Sequence, residues 1–142
     1  MSPISHTVAT KCAVPAQSAY AFMANPLSVG LWALGCWDAE LVGENLYAGT
    51  SLFDGEKTYV QIWADDAHMI VDFAVGIDPA ELELRISARV VRGQELKYGE
   101  HCSIVTLTAW RSNDMTDDRW HRLCVSHETE IYLLRNQVER AI

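Results

Sequence analysis

His127 sits in the middle of an apolar helical stripe where leucine would be ordinary, and imidazole is the side chain that titrates nearest neutral pH. It supplies either a polar contact and proton carrier inside a cavity, or a buried structural histidine satisfied by a backbone carbonyl or a tyrosine hydroxyl. Tyr59, Gln61 and Trp63 alternate along one stretch, so they share one face of a strand. A glutamine between two aromatics would orient an otherwise apolar ligand. Val60, Ile62 and Ala64 on the opposite parity are equally apolar, so the trio either lines a pocket or lies outside, at an oligomer interface. Trp32, Trp37, Trp110 and Trp120 divide in the same way between pocket wall and ordinary core. The residues expected to touch a ligand are therefore Trp32, Tyr59, Gln61, Trp63, Phe73 and His127.

Metal chemistry is not expected. Asp65 and Asp66 next to His68 read as an exposed turn, because adjacent strand side chains point apart. His121 and His127 are six positions apart and lie on different helix faces, unlike the pair four apart that zinc requires. Cys12, Cys36, Cys102 and Cys124 show no C-x-x-C spacing and read as reduced thiols packed as small hydrophobes. There is no glycine-rich phosphate loop and no G-x-S-x-G elbow, so neither a cofactor nor a catalytic constellation is assigned.

Positioning these residues falls to a short list of elements. Ile4, Val8, Cys12 and Val14 share a parity and predict a first strand over 4–14, stopped by Pro15. Pro15 then opens a helix to Ala24, with Ala19, Phe22 and Met23 inward, and Asn25-Pro26 ends it. A second short helix spans 27–33. Strands are expected over 37–44, 50–53, 57–65, 69–76, 82–92 and 102–111, with Asp54-Gly55 as a hairpin signal. Met69, Val71, Phe73 and Val75 form one dry face. Leu82, Leu84, Ile86, Ala88 and Val90 form another, which leaves Glu83, Arg85, Ser87 and Arg89 on the wet side. The stretch 93–101 reads as an extended hairpin loop or flap. From Asp117 the period changes, and Trp120, Leu123, Cys124, His127, Ile131, Leu134, Val138 and Ile142 make one stripe of a long amphipathic helix. The result is a single α+β domain over 1–142, with a curved antiparallel sheet of about seven strands and a terminal helix docked on it.

The chain's 142 residues suffice for one core, and its apolar share is that of a globular protein. A formal charge of -8 with scattered basic residues excludes nucleic acid as a natural partner and disfavours attraction to anionic membrane surfaces. Neither a signal-peptide pattern in the first residues nor an apolar run of membrane-spanning length is present, so a cytoplasmic protein is expected.

The strand ending in Val14-Pro15-Ala16, the Val-Pro-Ala-x-x-Ala-Tyr-x-Phe-Met segment, two short helices, a run of six further strands and a long last helix together resemble the START-like superfamily. This is the helix-grip group also called SRPBCC or Bet v 1-like, which includes polyketide cyclases and lipid carriers. The resemblance covers nearly the whole chain and implies a deep cavity between curved sheet and final helix. Fold alone does not choose a function. One expectation is binding or transport of a hydrophobic or aromatic small molecule, without turnover. A second is cyclase or aromatase-like chemistry in which His127, with Tyr59 or Gln61, moves protons. A third is a regulatory or assembly protein with a vestigial pocket that forms a homodimer.

Overall fold

The computed structural model describes residues 3–141; Ile142, the expected end of the helical stripe, and the first two residues of the N-terminus lie outside it. Strand β1 runs Ser5–Cys12, followed by helix α1, Ala16–Ala24, and a 3-10 helix, Pro26–Leu31. Strands β2 (Trp37–Gly43), β3 (Leu46–Thr50), β4 (Lys57–Asp65), β5 (Ile70–Gly76), β6 (Glu83–Arg92) and β7 (Ser103–Trp110) precede helix α2, Asp117–Arg140. All seven strands form one antiparallel sheet in the order β1-β7-β6-β5-β4-β3-β2. The α+β architecture follows the expectation. No described helix is long and apolar enough to cross a membrane.

Local chemistry sets the boundaries. Pro15 caps α1 from outside, at φ -59°, instead of serving as its first residue. Asn25 precedes a proline and is extended, which ends α1, and its side-chain oxygen accepts the N–H of Leu27 to start the 3-10 helix. Thr116 caps α2 by accepting the N–H of Arg119, with Asp117 and Asp118 in the first turn and Arg140 in the last, charges that complement the helix dipole.

Three expectations need correction. The third strand lies over Leu46–Thr50, not 50–53; residues 51–56 instead form the turn into β4, closed by Ser51 N–H to Glu56 O and Gly55 N–H to Ser51 O. The stretch after β6 is the loop of the β6–β7 hairpin, as expected, but it begins with a compact 3-10 turn, Gly93–Leu96, with Lys97 in the left-handed region, where an extended loop was expected. Ile4 is exposed while His6, Val8, Thr10 and Cys12 carry the inward parity of β1.

The core lies on the concave side of the sheet. Val60, Val71, Phe73, Ala88, Val90, Val105 and Leu107 face Tyr20 and Met23 of α1 and Ile131, Leu134 and Val138 of α2. Helix α2 packs chiefly on β1, with further contacts to β7, so its N-terminal half stands over β4 to β6 without filling the space beneath. The 3-10 helix closes one side of that space by packing on β2. That packing requires Gly30, where a Cβ would sit 2.2 Å from the backbone nitrogen of Ala39. Gly30→Ala is expected to lower the unfolding free energy by roughly 1–3 kcal/mol, read from urea midpoints, and an unchanged midpoint would refute this tight packing.

Candidate functional site

The space left under α2 is a cavity of about 730 Å³. That volume falls in the range that takes a drug-sized molecule. Its floor is apolar: Val60 of β4, Phe73 and Val75 of β5, and Ile86 of β6. Val29, Ala33 and Cys36 supply one side, and Leu123, Ser126 and Glu130 of α2 supply the roof. A shallower hollow of about 330 Å³ lies alongside and shares Phe53, Arg122 and Ser126 as a common wall.

Glu130 is the principal polar group of this cavity. It is 4% exposed, and its Oε2 accepts the N–H of Leu34 at 2.8 Å. Burial pushes its carboxyl up to about 7, against the opposing pull of the Leu34 N–H. Two other polar groups at the wall are already engaged. Ser126 donates its hydroxyl to the carbonyl of Arg122 at 2.7 Å, and the thiol of Cys36 points at the carbonyl of Thr58 at 3.7 Å. Burial pushes that thiol up to about 11, so Cys36 is a packed thiol and not a nucleophile.

A β-bulge brings a further residue in. Phe73 pairs with Ile86 but Ala74 pairs with Leu84, so Arg85 is the extra residue of β6. Below the bulge the parity inverts. Leu84, expected inside, is 48% exposed, while Glu83 and Arg85, expected on the wet side, line the cavity. Burial lowers the Arg85 guanidinium from its ordinary value, with Arg119 adding to the effect. Arg119 and Arg122 of α2, outside its apolar stripe, line the cavity too.

Of the six residues expected to touch a ligand, only Phe73 lines the cavity. Trp32 is fully buried behind it, ring centroids 5.9 Å apart at 86°, and so braces the wall from outside the cavity. Tyr59, Gln61 and Trp63 lie on the outer face of β4, because Thr58, Val60 and Ile62 take the inward parity, and Trp63 is 53% exposed. Trp37 and Trp110 stay partly exposed, and Trp120 packs in a satellite cluster with Ala109 and Met115.

His127 is fully buried but does not line the cavity, and neither ring nitrogen has a hydrogen-bond partner. Burial, and secondarily the charge of His6, lowers its imidazole to about 4. It is thus neither the polar contact nor the satisfied structural histidine that the sequence suggested. Glu130 reaches the cavity in its place. Spacing held a signal for it: Leu123, His127, Glu130 and Leu134 recur at four, three and four, so the carboxyl occupies a seam position of the stripe.

No family model matches the sequence, and no curated protein matches it either. Solved structures do. A START superfamily protein from Mycobacterium smegmatis superposes with a TM-score of 0.68 at 7% identity, over 97% of this chain and 99% of that one. The Zhui aromatase/cyclase from Streptomyces sp. R1128 gives 0.65 at 12% identity, over 96% and 93%. The di-domain ARO/CYC BexL of the BE-7585A biosynthetic pathway gives 0.69 at 14% identity; the match covers 95% of this chain and 46% of that one. Seven antiparallel strands gripping a long final helix, together with this likeness over nearly its whole length, give the chain the START-like, helix-grip fold.

Proposed function

We propose that this protein binds a small, largely apolar or aromatic molecule in the cavity beneath α2. The observation that carries this reading is a space of about 730 Å³ with an apolar floor and one buried carboxyl group in its roof. A few convergent polar groups in an otherwise apolar hollow are how such molecules are oriented. The expected vestigial pocket agrees poorly with a space of this size. Support from the fold is general, since START-like relatives differ in what they do.

A second reading, an aromatase/cyclase-like enzyme, draws on Glu130. A buried carboxylic acid with a pKa near neutrality is equipped to give and take protons, and the fold is shared with the Zhui aromatase/cyclase. In this reading Glu130 replaces His127 as the proton-transfer group.

Titration with Nile red, a neutral apolar fluorophore, is expected to saturate at one site per chain. Val75→Trp, which projects an indole into the cavity from a half-buried floor position, should weaken that binding at least tenfold while the fold persists. Unsaturable binding, or binding indifferent to Val75→Trp, would refute the cavity as the site. Extraction of the purified protein with organic solvent, followed by mass spectrometry, then gives the native occupant. Release of two related compounds differing by loss of water favours the enzyme; one unchanged compound favours the carrier.

A further inference from the structure

Glu130 is set apart from the other carboxylates at the cavity by being buried while they are exposed. Among the described residues it makes no ion pair within 4.0 Å, and its one hydrogen bond comes from the backbone of Leu34. Two of the three cavity arginines already have partners in the wall. Arg85 lies 3.5 Å from Glu83, and Arg122 lies over the Phe53 ring at 5.1 Å. Asp114, held as an anion first by hydrogen bonds from Ser112 and its own backbone, also feels Arg119 and Arg85. Around them the lining is acidic, with seven carboxylates against three guanidinium groups. The turn into β4 contributes Asp54 and Glu56, and the turn between β5 and β6 contributes Asp78 and Glu81. Such a mouth concentrates cations and repels anions.

We infer that the preferred occupants of this cavity are apolar or aromatic molecules carrying a basic nitrogen, bound as the ammonium ion with that nitrogen hydrogen-bonded to Glu130. The inference rests on the cavity-binding reading above and narrows its ligand class. The acidic mouth draws the cation in, the apolar floor accepts its hydrocarbon body, and the roof supplies a buried carboxylate that no cation of the protein pairs. A charge-assisted hydrogen bond in this dry setting outweighs a neutral one of the same geometry.

Three naphthalene probes of matched size separate the alternatives: 1-naphthylmethylamine, 1-naphthylmethanol and 1-naphthoate, each titrated calorimetrically at pH 8. With wild-type protein the amine should bind at least tenfold more tightly than the alcohol, and the carboxylate most weakly. With Glu130→Gln, which keeps the acceptor for the Leu34 N–H, the amine should fall to the level of the alcohol while the alcohol binds as before. An alcohol that matches the amine on wild type, a carboxylate that binds best, or a Glu130→Gln protein that keeps its amine preference overturns the inference and leaves the cavity-binding reading standing. Failure of all three probes on wild type overturns both. The wild-type ratio needs no variant, so the outcome does not depend on how the substitution folds.

Discussion

At pH 8, Glu130→Gln should be more stable than wild type by roughly 2–3 kcal/mol, read from urea midpoints. The folded carboxyl titrates at about 7 and the unfolded one near its ordinary 4.5. Its contribution to stability is therefore fully present below 4.5 and is lost as pH rises through 7, where the folded state must hold a buried anion. Glutamine never ionises. His127 acts with the opposite sign. Its folded value of about 4 lies below the unfolded 6.5, so the native state is at full strength above 6.5 and weakens as pH falls towards 4. The penalty is again roughly 3 kcal/mol once both states are protonated. The two windows overlap between 4.5 and 6.5, and wild type conceals them from each other there. Single substitutions should uncover them. Relative to wild type, Glu130→Gln gains stability as pH rises from 4.5 to 8, and His127→Leu gains it as pH falls from 6.5 to 4. His127→Leu is also expected to equal or exceed wild type at pH 8, since leucine fits an apolar site where two ring nitrogens lack partners. Matching pH slopes in the two variants, or a Glu130→Gln protein weaker than wild type at pH 8, would refute these environments.

Much of this fold was legible because its patterns are long. The stripe from Trp120 to Val138 persists over five turns, so both the existence of α2 and its docking face followed from spacing. Inward parity on β5 was clear for Val71 and Phe73 for the same reason. The third strand was misplaced because Leu46–Thr50 includes Ala48 and Gly49, without the β-branched run that marks a strand, while Leu52 and Phe53 resemble one in a turn. Alternation on β6 failed at a single residue. An extra position at Arg85 reverses every side chain below it, and no local feature of Glu83-Leu84-Arg85 announces a bulge.

The candidate site was harder to read than the fold, since its members sit where patterns break. On β4 both parities carry apolar side chains, so composition left the direction of Tyr59 and Trp63 open, and the pairing of β4 with its neighbours set it. His127 drew notice as a lone polar residue on an apolar stripe. Glu130 shares the spacing of that stripe, but its neighbours Glu128, Thr129 and Tyr132 are exposed, and the charge of a glutamate argues for water against the spacing. Only the approach of the Leu34 backbone, ninety-six positions earlier in the chain, converts it into a buried acid.

Phe73→Ala should cost roughly 3–5 kcal/mol, the largest loss expected from any single floor residue. Phe73 is 1% exposed, and its ring meets the indole of Trp32 edge to face. Truncation removes that contact together with the packing of the ring. The space vacated opens into the existing cavity instead of sealing as a separate void, which holds the cost towards the lower end of the range. It also makes the loss recoverable. A ligand with one more ring than the wild-type cavity accepts should bind Phe73→Ala more tightly than wild type and raise its midpoint, by mass action on the folded state alone. Phe73→Leu, which keeps most of the apolar volume, should cost less than half as much and show little of this rescue. A Phe73→Ala midpoint within about 1 kcal/mol of wild type would mean that the ring is not a packed wall, and with it the floor described for the cavity would fall.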